Sequence, residues 1–83
     1  MNQDGDRHEL LDQLEHLKSL GEKAYSDMYE SSGPGGASGC YSEAKECYYD
    51  AIRVANLLGL TEQAEALSQR LDHIKAVFRG QFC

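Results

Sequence analysis

One stretch constrains this chain more than any other: Tyr41 to Leu58, YSEAKECYYDAIRVANLL. Within it Tyr41, Ala44, Tyr48, Ala51, Ala55 and Leu58 recur in steps of three and four, the spacing that places side chains on one helical stripe. Cys40, Cys47 and Val54 make a second row beside it, while Glu43, Lys45, Glu46, Asp50 and Arg53 lie mostly elsewhere. Three stripe positions are alanine, so a neighbouring helix can come close and larger side chains can interlock. The pattern predicts a central helix over about 40–58.

Two more stripes flank it. Leu10, Leu14, Leu17, Gly21, Ala24 and Met28, with Leu11, Leu20 and Tyr25 alongside, predict a first helix over about 7–30. Asp6 followed by Glu9 fits a capping box at its start. Gly21 in mid-helix costs ~1 kcal/mol against alanine, so its expected use is close helix approach. Ala64, Leu67, Leu71, Ile74 and Phe78 predict a third helix over about 62–79, with Thr61 as its N-cap and Gly80 as its end. Gly59 is placed to close the second helix, with Leu58 and Leu60 positioned for the apolar contact of a glycine C-cap.

The segment SSGPGGASG, Ser31 to Gly39, predicts a flexible loop, because glycine is costly to order and Pro34 cannot continue a helix. Ser38 is the expected N-cap of the helix that follows. Gln81 to Cys83 form a tail from which Phe82 could fold back onto the bundle. One proline, no tryptophan and few Val, Ile or Thr residues argue against a sheet, and 83 residues allow one core. The expected architecture is all-α: one domain over residues 1–83, an antiparallel three-helix bundle.

A net charge of −6 argues against nucleic acid, which needs clustered Lys and Arg; a solvated acidic face is the plainer expectation. No apolar run approaches the ~18 residues of a membrane span, and the polar N-terminus MNQDGDRHE does not read as a signal peptide. Cys40 and Cys47 are about two turns apart on one helix, roughly 10 Å, too far for a disulfide. With Cys83 they read as thiols in a reducing cytoplasm.

Candidate chemistry is thin. His8, Asp12 and His16 share a helix face at a spacing that can hold a metal, but they lie off the leucine stripe and match no metal motif. His73 beside Asp72 reads the same way. The glycine-rich segment lacks the GK[ST] and the preceding strand of a phosphate cradle. Cys47 has Glu43, Glu46 and Asp50 as neighbours, which raise a thiol pKa and discourage nucleophilic use. No catalytic residue, metal ligand or cofactor is assigned, and no enzymatic activity is expected.

The middle helix resembles the tetratricopeptide repeat, in which an aromatic residue, Ala, an aromatic residue and Ala follow one another as Tyr41, Ala44, Tyr48 and Ala51 do here. Leu17 and the pair Leu20-Gly21 resemble positions of the repeat's first helix. Ala24 stands where the repeat has an aromatic residue, with Tyr25 one further on, and the connecting segment is longer than the repeat's tight turn. In size and helix order the chain also resembles the microtubule-interacting-and-trafficking (MIT) domain. The resemblance spans about Leu17 to Leu58 and implies a helical hairpin closed by a third helix, of a kind that binds peptides or helices in grooves.

Tyr25 and Tyr29, one turn apart, and Tyr49 beside the second stripe are the candidate binding residues, since tyrosine offers large contact area at low entropy cost. The expected function is a small adaptor binding a peptide or helix of another protein, with no nucleic-acid or membrane partner. The alternative is a self-associating module that closes Leu11, Leu20, Ile52, Val77 and Phe82 in a homodimer.

Overall fold

A computed structural model describes residues 3–30 and 36–81. Three helices follow in order, α1 (Gln3–Glu30), α2 (Gly36–Leu57) and α3 (Thr61–Gln81), and no strand occurs among the described residues. α1 packs on α2 and α2 on α3. From Arg7–Leu58 to Gly21–Tyr48 α1 rises in number while α2 falls, and from Tyr41–Phe78 to Tyr49–Lys75 α2 rises while α3 falls, so each helix is antiparallel to the next in a three-helix bundle. α1 alone sets the length of the particle: 28 residues at ~1.5 Å each span about 42 Å of its 49 Å long axis.

The stripes are the core. Leu14, Ala24 and Met28 of α1, Ala44, Tyr48, Ala51, Val54 and Ala55 of α2, Leu58 just after it, and Ala64, Leu67, Leu71 and Ile74 of α3 are buried. Gly21 is buried as well, and what lies against it is the Tyr48 ring. A Cβ at residue 21 would stand 2.7 Å from Cε2 and 2.9 Å from Cδ2 of Tyr48. The absent methyl group is therefore the seat of the largest buried side chain. At the far end of the bundle Tyr41 stacks on Phe78, with centroids 3.9 Å apart and planes 4° from parallel. Lys45 Nζ lies 4.6 Å from the Tyr41 centroid.

Gly59, at φ 76°, reverses the chain. Its N–H donates to the Asn56 carbonyl (3.0 Å) and the Leu60 N–H to the Ala55 carbonyl (2.8 Å), the two bonds of a Schellman motif. The Leu58 carbonyl, left without a helical partner, accepts from Arg7 Nη1 at 3.3 Å. The start of α1 thus caps the end of α2, and a cation there suits the negative end of the helix dipole.

Helix ends depart from expectation. α1 begins at Gln3, so Asp6 and Glu9 lie inside the helix and not at its cap position. α2 begins at Gly36, four residues before the expected Cys40, and Ser38 is a helical residue, not the N-cap. Gly36 and Ala37 are partly buried, and packing overrides a weak propensity. Of the expected loop, residues 31–35 lie outside the described residues, as do Phe82 and Cys83. The Leu60 carbonyl accepts the first bond of α3, from the Ala64 N–H at 2.9 Å, which makes Leu60 the cap and Thr61 the first helical residue. Gly80 stays helical.

Gly21→Ala tests the seat of Tyr48. Alanine gains ~1 kcal/mol of helix propensity, but the overlap it creates with a ring held at both ends costs ~1–3 kcal/mol. The variant is expected to melt below the wild type. An unchanged or raised melting temperature would show that the ring yields freely.

Candidate protein-binding surface

Tyr48 brings all three helices together. Its ring is buried by the stripes, while its hydroxyl reaches the edge of the bundle and donates to the Glu22 carboxylate of α1. Arg70 of α3 grips the same carboxylate with two donors, Nε to Oε2 at 2.9 Å and Nη2 to Oε1 at 2.8 Å. Such a fork is the strong geometry for an arginine–carboxylate pair. The Arg70 guanidinium holds the Glu22 carboxyl below its ordinary 4.5, against a smaller opposing effect of burial. Burial, reinforced by the bond to Glu22, pushes the Tyr48 hydroxyl up to about 12.

Next to this clasp stand two of the candidate tyrosines. The Arg70 guanidinium lies 5.0 Å from the centroid of the Tyr25 ring. Tyr25 meets Tyr29 edge to face at 5.4 Å, and their hydroxyls share a hydrogen bond of 3.1 Å. That bond raises the Tyr25 pKa, and His73 of α3 meets the same ring edge-on at 6.4 Å. Tyr25 packs partly against the core, whereas Tyr29 is 48% exposed. The pair forms a braced aromatic ledge along the α1–α3 edge.

Tyr49 stands apart. It is 52% exposed, and its hydroxyl accepts from Lys75 Nζ at 2.7 Å, with the ammonium 5.1 Å from its ring centroid. On α3, Lys75 lies about 140° round from Arg70 at ~3.6 residues per turn. Tyr49 therefore borders the α2–α3 edge while Tyr25 and Tyr29 border the α1–α3 edge. The structure brings Tyr25 and Tyr29 together and leaves Tyr49 on a second surface.

Among the other candidates, His8 and Asp12 are 3.7 Å apart and well exposed, and His16 is exposed. No group of His, Cys, Asp and Glu that could hold a metal occurs among the described residues. Cys40 and Cys47 are half-buried and in no disulfide among the described residues. Burial, followed by Glu43, Asp50 and Glu46, raises the Cys47 thiol, which disfavours the reactive thiolate. Glu22 and Arg70 were not singled out by the sequence reading. Their signal was faint: a carboxylate next to the stripe glycine, and an arginine next to Leu71 on the third stripe.

The clasp gives stability a signed pH dependence. A carboxylate whose folded pKa is lowered contributes stability that is present above its unfolded value and lost as pH falls through the folded one. The melting temperatures of wild type and Glu22→Gln should differ most at neutral pH and converge as pH drops below 4.5. A gap of constant size across that range would detach Glu22 from the effect.

No known protein family, curated protein or solved structure matches this chain. The likeness to the tetratricopeptide repeat rests on Leu17, Leu20, Gly21, Tyr41, Ala44, Tyr48 and Ala51 alone.

Proposed function

We propose that the chain is a small helical protein–protein interaction module that binds a helix or peptide of a partner and carries out no chemistry of its own. The observation behind this reading is the Tyr25–Tyr29 ledge. Tyr29 is about half exposed, and its hydroxyl and ring are both braced by Tyr25. A pre-ordered aromatic ring loses little entropy on contact and can anchor an interface. The tetratricopeptide-like pattern around Tyr41, Ala44, Tyr48 and Ala51 agrees with a fold that offers grooves to helices. No helix among the described residues is long and apolar enough to cross a membrane. Cys40 and Cys47, in no disulfide among the described residues, fit a reducing cytoplasm.

A second reading, self-association, is favoured by Leu57, 70% exposed near the end of α2. Leu11, Leu20, Ile52 and Val77 reach the surface partly buried, while Phe82 lies outside the described residues. Sedimentation at several concentrations separates this reading from the first.

Tyr25 packs against the core, so replacing it mixes folding with binding; Tyr29 and Tyr49 do not have that defect. Tyr29→Ser and Tyr49→Ser should each keep the helical circular dichroism of the wild type. Tyr29→Ser should lose a partner captured by the wild-type chain from native extract, at the ~2 kcal/mol or more typical of an aromatic anchor, while Tyr49→Ser keeps it. Identical capture by wild type and both variants would remove the tyrosines from any binding role.

A further inference from the structure

The three helices are not joined equally. α1 and α2 are interlocked by the seat of Tyr48 on Gly21, and they also bury Ala24, Met28 and Ala44. α3 packs on α2, placing Ala64, Leu67, Leu71 and Ile74 in the shared core. Among the described residues, Leu14 is the one buried residue of α1 in that core. Further ties between α3 and α1 are side chains reaching across, Arg70 to Glu22 and to the Tyr25 ring, and His73 to Tyr25. The Arg70 and Glu22 side chains are 39% and 47% exposed, where water and salt weaken an ion pair. One turn joins α3 to the rest, and it depends on the left-handed Gly59 and two backbone bonds.

We propose that α3 is a displaceable helix, which leaves the α1–α2 hairpin as a unit about Gly59, and that the groove it vacates accepts the α3 of a second copy of this chain. Departure of α3 leaves Tyr48 on Gly21, and Ala24, Met28 and Ala44 are buried outside the core that α3 shares, so the hairpin keeps that part of its packing. The groove defines its occupant. It is filled now by Ala64, Leu67, Leu71 and Ile74 with Arg70 at the rim, and another copy carries those residues at that spacing. Exchange between copies restores every core contact and the clasp, giving up only the turn. This inference does not rest on the exposed tyrosines, and Tyr29→Ser and Tyr49→Ser leave it unchanged.

Hydrogen exchange on the full chain tests the first half. Amides from Leu67 to Phe78 should exchange faster than those of Leu14–Met28 and Ala44–Val54. Arg70→Gln should speed α3 further by about fivefold, the upper range for an exposed pair of good geometry, with α1 and α2 unchanged. Glu22→Gln, made from the other helix, should also speed α3, although it weakens the bond from the Tyr48 hydroxyl as well. A labelled synthetic peptide of residues 61–81 tests the second half. It should bind the full-length Arg70→Gln chain, be displaced by unlabelled peptide, and be ignored by a scrambled competitor. One common exchange rate for all three helices in wild type and both variants would overturn the displaceable helix. Early exchange of α3 without peptide binding would overturn the exchange between copies.

Discussion

The fold depends on one ring in one hollow. Tyr48 occupies the volume that a side chain at Gly21 would need, so the glycine and the tyrosine are two halves of a single packing solution. Deleting a buried ring of that size costs ~3–5 kcal/mol, a large share of the stability of any small domain. The alanines around it, Ala44, Ala51 and Ala55, are fully buried and leave α2 thin enough to be flanked on both sides. A glycine that would be a defect in an isolated helix is here the condition for the bundle.

Polar contacts then fix the alignment that the apolar stripes leave free. Leucines on a stripe can slide by a turn and still find apolar neighbours, whereas a fork from Arg70 fits Glu22 at one register only. Arg7 on the Leu58 carbonyl holds the opposite end of α1, and the Tyr41–Phe78 stack holds the last turns of α3. Being partly exposed, the Glu22–Arg70 pair adds modest stability. Its larger effect is geometric, since it is where α1 and α3 recognise each other.

The helical stripes were legible because burial repeats every three or four residues and that repeat is local. All of Leu14, Met28, Tyr48, Ala51, Leu67 and Ile74 could be read from spacing alone. Helix ends were less legible, since Gly36, Ser38, Gly39 and Gly80 have poorer propensity than alanine and are helical through context. The pairing in the clasp was not legible: its arginine and glutamate are 48 residues apart, and no one-dimensional period links them. The candidate surface was legible by halves. Tyr25 and Tyr29 are neighbours on one helix turn, so sequence could pair them. Where Tyr49 stands relative to them depends on which flank α3 covers, and only the packed bundle decides that.

Proton chemistry gives the clasp an upper boundary in alkaline solution. The fold favours the neutral phenol of Tyr48, whose pKa rises from 10.0 to about 12. A group raised in this way contributes stability that is whole below its unfolded value and drains away as pH climbs through the folded one. Once ionised, the phenolate has no proton to give Glu22 and confronts its carboxylate with a second negative charge, beside the ring's seat on Gly21. With no tryptophan in the chain, tyrosinate absorbance is the optical record of that event, and ionisation of Tyr48 would announce the parting of the three helices.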